Sequence, residues 1–183
     1  RRVIPVIREL SRQVRVPISI DTDKPQVAAA ALDAGATILN DVFGLRAQGM
    51  LEVAVNFKRV VLMHMLGETP KAMQSNPVYS DVFLDVKEFL EQRLNAFVAV
   101  GGKASSVWLD PGIGFGKTLE HNLTLIRRAG ELRSLAPVLL GVSRKSFLGK
   151  LTPDSGPEDR LSGSLAVAAW AGFSGVDCLR VHD

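Results

Sequence analysis

The sequence predicts an α/β fold of the parallel β/α-barrel type, and three observations carry that expectation. Six short apolar runs alternate with longer segments of helical period. The runs are nearly continuous in apolar residues, as strands covered on both faces are. Each run also ends in a polar or charged residue on its C-terminal side. In a parallel barrel those ends share the face that carries active sites, whereas an open doubly wound sheet gathers them along a crevice.

The strand-like runs are 17–21 (PISID), 37–41 (TILND), 60–64 (VVLMH), 107–110 (VWLD), 138–143 (VLLGVS) and 176–182 (VDCLRVH). The opening residues, RRVIPVIREL, read as the middle of a helix. An Ala-rich helix follows at 24–34, with Thr22 or Asp23 as N-cap, Pro25 in the first turn and Gly35 as the stop. A shorter helix is expected at 50–57. Residues 82–100 repeat apolar side chains at Val82, Phe83, Val86, Phe89, Leu90, Leu94, Phe97 and Val98, a helical period ended by Gly101-Gly102. Helices at 119–132 and 158–171 complete the series, the last rich in Ser, Ala and Gly and so able to pack closely. The longest irregular stretch is 67–80. A full barrel has eight strands and typically about 250 residues. Six strands in 183 residues therefore predict one domain, 1–183, that is the C-terminal part of a barrel. Its first two strands and its last helix are expected outside the chain.

Composition narrows the function. The single cysteine, Cys178, excludes an intrachain disulfide, reads as a small buried core residue and fits a reducing cytoplasm. The net charge of +3 is spread out, and only 6% of residues are aromatic, so no basic stripe with interleaved rings suggests nucleic acid. No apolar run is long enough to span a bilayer, and no signal-peptide pattern opens the chain. No His, Cys or carboxylate set has zinc spacing, and no nucleophile elbow is present.

Three motifs carry candidate chemistry. Asp110-Pro-Gly-Ile-Gly-Phe-Gly-Lys places alternating glycines after a strand that ends in a carboxylate, which lets backbone approach a ligand. It is neither a P-loop, because Pro111 stands where a Gly is needed, nor a dinucleotide fingerprint, because Lys117 does. An ordinary Gly-rich turn is the competing reading. In Ser143-Arg144-Lys145-Ser146, Lys145 suits an anion, a carbonyl or a Schiff base, and Ser146 opens a turn whose N–H groups suit a carboxylate. A solvated basic loop is the alternative. Arg180 and His182, two apart on a strand, point the same way and suit a phosphate, against the alternative of an exposed strand end. Asp21 and Asn40 close buried runs and need partners. Asp41 could cap a helix, His64 reads as a hydrogen-bonded core or loop residue, and His121 falls in a first helical turn with no stated role.

Taken together, IDTDKP, ILND, LMHM, LDPGIGFGK, GVSRKS, RLSGSLA and LRVHD, in this order and spacing, resemble the dihydropteroate synthase family across essentially the whole chain. The resemblance implies a (β/α)8 barrel that joins 4-aminobenzoate to 6-hydroxymethyl-7,8-dihydropterin diphosphate, giving 7,8-dihydropteroate and diphosphate for folate synthesis, with sulfonamides competing for the aminobenzoate site. It implies a pterin site of Asp21, Asn40, Met63, Asp110, Phe115 and Lys145, with Asp21 and Lys145 catalytic. Arg180 and His182 would hold diphosphate, and Lys145 with Ser146 would meet the aminobenzoate carboxylate. It also implies magnesium on the diphosphate, whose family contact is an upstream Asn, so no metal ligand is expected within this chain. A homodimer of the full-length protein completes the implication. Asp23 departs from the family, which has Ser there. A pterin-dependent methyltransferase, a non-catalytic pterin-binding domain and a Schiff-base enzyme through Lys145 are the competing classes. The phosphate-suited SRKS and RVHD motifs weigh against methyl transfer.

Overall fold

The structure, a computed structural model, describes residues 2–67, 77–151 and 156–183. Most of the irregular stretch expected at 67–80 lies outside the described residues.

Six parallel strands run in chain order: β1 Ser19–Asp21, β2 Ile38–Asp41, β3 Arg59–Met63, β4 Val107–Asp110, β5 Leu139–Gly141 and β6 Cys178–Arg180. β1 to β4 form one ladder, and β5 pairs with β6. A parallel bridge between Leu109 and Val138 joins the two groups. The wall then curls back on itself, because Arg180 on β6 reaches Asp21 on β1 across 159 positions of sequence. No ladder joins β6 to β1 among the described residues, so the sequential parallel strands form an incomplete β/α-barrel wall.

The pairing register sorts the side chains by face. Asp21, Asn40, Val61 and Trp108 are register partners along one row. With Leu139, Cys178 and Arg180 they line a lumen cavity of about 260 Å³. The alternate residues Ile20, Leu39, Val60, Leu62, Leu109 and Leu140 point outward into the core cluster under the helices. The runs of β2 to β5 are thus largely covered on both faces, in keeping with their lack of alternation, whereas β1 and β6 are covered less.

The helices are α1 Ile4–Gln13, α2 Pro25–Asp33, α3 Met50–Ala54, α4 Val82–Ala99, α5 Leu119–Arg128, α6 Ser146–Gly149 and α7 Leu161–Phe173. Short 3-10 turns extend α5 at Ala129–Ser134 and introduce α7 at Pro157–Arg160. α4 buries Val82, Phe83, Val86, Leu90, Leu94 and Phe97 of the expected stripe, leaves Phe89 half-buried and Val98 exposed, and is capped by the Asp81 carboxylate. Gly101 and Gly102 end it, donating to the carbonyls of Val98 and Phe97.

Two caps differ from expectation. Neither Thr22 nor Asp23 caps α2; the N-cap is Lys24, without a side-chain hydrogen bond. Pro25 at the first helical position forces its predecessor into extended backbone, so the cap falls on Lys24. Thr22 Oγ1 instead accepts the Lys24 N–H one step earlier. Asp41 caps no helix either, since α3 starts only at Met50. His121 does have a role: with Thr118 it forms a reciprocal capping box at the start of α5.

Candidate pterin site at the strand ends

The C-terminal ends of the strands bring the expected residues to one rim. Asn40, at the end of β2, is buried and donates from Nδ2 to Asp21 Oδ2 at 2.9 Å. The same Asp21 oxygen accepts Arg180 Nη2 at 3.3 Å. Asp21 therefore sits between an amide and a guanidinium, half in solvent. Asn40 keeps its side-chain oxygen and one N–H free of Asp21.

Asp110 is 5% exposed. Its Oδ1 accepts the Gly112 N–H at 2.7 Å. Burial pushes its carboxyl above the ordinary value, while Lys145, the Gly112 N–H, Lys117 and Arg180 pull it back toward ionisation. A carboxylate accepts at two oxygens, so Oδ2 and the spare lone pairs stay available to a ligand. Burial also lowers the Lys145 ammonium, against the raising effect of Asp110. Lys145 Nζ donates to the Ile113 carbonyl and lies 4.9 Å from the Phe115 ring centroid, a cation–π contact. Met63, in register with Asp110, packs with Met65, Val42, Phe43 and Phe115 into a small apolar cluster beside it.

The residues divide between hollows rather than sharing one. Asp21, Asn40 and Arg180 line the lumen cavity. Lys145, Arg180 and His182 line a second hollow of about 120 Å³ with Gly141 and Ser143. Arg180 belongs to both. His182 lies beyond the end of β6, and its backbone N–H donates to Ser143 Oγ at 3.3 Å. Ser146 is exposed and faces a third hollow of about 260 Å³, with Gly114, Gly116 and Lys117.

The glycine loop after β4 is held by side chains that sequence reasoning did not select. Lys117 Nζ is 3.0 Å from both His64 Nδ1 and the Phe115 carbonyl. Burial first, then Lys145, lowers the Lys117 ammonium to about 7, and burial, Lys117 and Arg46 lower His64 to about 3. His64 is thus a neutral acceptor for Lys117. Tyr79 Oη donates to the Gly116 carbonyl, and Asn122 Oδ1 accepts the Gly114 N–H. A Cβ at Gly112 would lie 1.8 Å from the His64 carbonyl oxygen, and φ there is +70°, so only glycine fits. The loop after β2 is braced similarly. Fully buried Asp41 accepts the N–H groups of Phe43 and Leu45, while Arg93 donates to the carbonyls of Gly44 and Leu45. Burial raises Asp41 to about 6. The only local signal for these braces was a polar residue inside or next to an apolar run, as with Asp41 and His64.

Among the described residues no group of three or more His, Cys, Asp or Glu is placed to hold a metal ion. No helix among the described residues is long and apolar enough to cross a membrane.

Comparison with known proteins matches this geometry. The profile described as "Pterin binding enzyme" matches residues 1–182. The chain belongs to the pterin-binding enzyme family. It is 43% identical to the dihydropteroate synthase of Escherichia coli strain K12 over 185 aligned residues, covering all of this chain and 65% of that protein. It thus spans just under two thirds of that relative's length. A crystal structure of dihydropteroate synthase from Stenotrophomonas maltophilia, with active-site-bound imidazole, superposes with a TM-score of 0.95 at 47% identity, covering 100% of this chain and 69% of that one. The enzyme from Xanthomonas albilineans in complex with 7,8-dihydropteroate gives 0.90 at 42% identity, covering 100% and 67%. At these identities the barrel wall seen in this family member is the corresponding part of a TIM barrel.

Proposed function

We propose that the protein containing this chain is a dihydropteroate synthase, and that residues 1–183 are the pterin-binding, C-terminal part of its barrel. The observation that carries this reading is the convergence of Asp21, Asn40, Asp110 and Lys145 on one rim from four different strand ends. The identity to named synthases and the family match support it.

In this reading Asp110 accepts a ring N–H and the exocyclic amine of the pterin side by side, a charge-assisted bidentate pair in a dry position. Asn40 donates and accepts at neighbouring ring atoms, and Lys145 donates to the ring carbonyl or nitrogen. Met63 and Phe115 give apolar contact. Arg180 and His182 hold the diphosphate, and Ser146 with Lys145 meets the aminobenzoate carboxylate, where a sulfonamide would compete.

The methylene–oxygen bond then breaks, the electron pair leaves with diphosphate, and cationic character develops on carbon. Asp21, anionic and close to that carbon, stabilises the charge more in the transition state than in the ground state. The arylamine forms the new carbon–nitrogen bond and sheds a proton, which has become acidic on attack. Magnesium enters this reading as an ion travelling with the diphosphate rather than one held by these residues. Homodimerisation of the full-length protein and a cytoplasmic location belong to the same proposal.

Calorimetry on the full-length protein tests the assignment. Asp110→Ala should cost pterin affinity about 100-fold or more, the loss of hydrogen bonds to a buried charge. His182→Ala should spare pterin alone and weaken the diphosphate ester about tenfold. Equal losses for both ligands in both variants would overturn the division of roles.

A further inference from the structure

The segment RLSGSLA, residues 160–166, supplies no group to the site just described, yet its side chains grip the turn that delivers Lys145. Arg144, immediately before Lys145, has a left-handed backbone with φ of +55°, a conformation that side-chain-bearing residues adopt only when held. Both of its peptide groups are held from the region of α7. Ser164 Oγ accepts the Arg144 N–H at 2.9 Å, and Arg160 Nη1 donates to the Arg144 carbonyl at 3.1 Å. Ser164 Oγ in turn donates to the Arg160 carbonyl at 2.7 Å, which aims its lone pair at the turn. Ser164 is buried. α7 packs closely here: a Cβ at Gly163 would come within 3.3 Å of the Leu148 side chain on α6, which would have to give by a few tenths of an ångström.

We propose that Arg160 and Ser164 are positioning residues that lock Arg144 in its left-handed turn and so aim Lys145 into the pterin site, an inference that rests on reading Lys145 as a substrate-binding residue. Lys145 is the N-cap of α6, and its ammonium reaches back toward Asp110 and the Ile113 carbonyl. Without the grip, Arg144 relaxes to an ordinary right-handed or extended backbone. The Lys145 stem then swings, and its ammonium exchanges the buried site for water.

The test uses the full-length protein carrying Ser164→Ala, a substitution that a helix accepts readily, and Arg160→Met as a second variant. Competitive acylation with mass-spectrometric readout reports the reactivity of each lysine independently of turnover. Lys145 should become several-fold more reactive in both variants, while buried Lys117, anchored on the β4 loop, stays protected. kcat/KM should fall about 10- to 100-fold, as expected when a group is misplaced by about 1 Å, with a melting temperature close to the parent's. Unchanged Lys145 reactivity, or exposure of Lys117 and Lys145 together, overturns the proposal. Raised Lys145 reactivity with parental turnover supports the grip and overturns instead the reading of Lys145 as a substrate ligand.

Discussion

The wall at β2 to β4 and the wall at β6 present their functional groups in opposite ways. On β2 and β4, Asn40 and Asp110 are buried, and the outward residues Leu39, Leu62 and Leu109 of β2, β3 and β4 are fully buried. Within residues 1–183, Leu179 on β6, in register with fully buried Leu140, is 37% exposed, and Arg180 and, beyond the strand, His182 are exposed. A neutral heterocycle is told apart by its pattern of N–H and carbonyl groups, and that reading needs a dry, fixed carboxylate whose lone pairs water does not fill. In the proposed reading, the diphosphate would be recognised by charge, which acts over several ångströms.

The largest expected effect breaks the comparison at its foundation. Leu39→Ala should cost about 2–5 kcal/mol of stability, the range for emptying a packed core site. Leu179→Ala, in residues 1–183 taken alone, should cost well under about half of that, because Leu179 is 37% exposed there. Denaturant unfolding of the two variants reads the difference, and equal losses would mean that β6 is covered as β2 is.

Next in size is Asp21→Asn, which keeps the shape and the neighbour Asn40 while removing the charge. We expect kcat to fall about 100-fold with pterin affinity changed far less, as for lost electrostatic stabilisation of a developing charge. Steady-state kinetics beside equilibrium binding separates the two, and a matched loss would place Asp21 in ground-state recognition alone.

The smallest effect is a pH dependence on the buried side. Lys117 is lowered to about 7 in the fold, below its ordinary value of 10.5. Between those values the unfolded chain binds the proton and the folded one does not, so Lys117 contributes stability that rises with pH across that window. The melting temperature of the parent relative to Lys117→Met should therefore climb between about pH 7 and pH 10. A flat difference would place the Lys117 ammonium in solvent, on the β6 side of the comparison.

Much of this was legible in the chain. The six strands were found from continuous apolar runs; β1, β2 and β4 ended where their polar residues said they would, while β3 ended at Met63, one residue before His64. β5 and β6 were drawn too long, at 138–143 and 176–182 against three-residue ladders, because pairing ends where backbones diverge and composition does not record that. Asp110 and its glycine loop stood out locally. Tyr79 and Asn122, which hold the loop, did not, because they act on backbone groups through contacts visible only in three dimensions, and His64 was read as hydrogen-bonded without its Lys117 partner. RLSGSLA was recognised as a motif without a task for the same reason.

By itself the sequence determined the order and type of the elements, the chemistry available at each strand end and the membership of a barrel family. These depend on local period and residue type, which folding does not alter. Tertiary structure alone decided that Asp21 joins Arg180 across the barrel, that Asp110 is dry while Arg180 is wet, and that α7 holds the Lys145 turn. Burial and hydrogen-bond partnership are properties of packing between distant segments, and no single segment carries them.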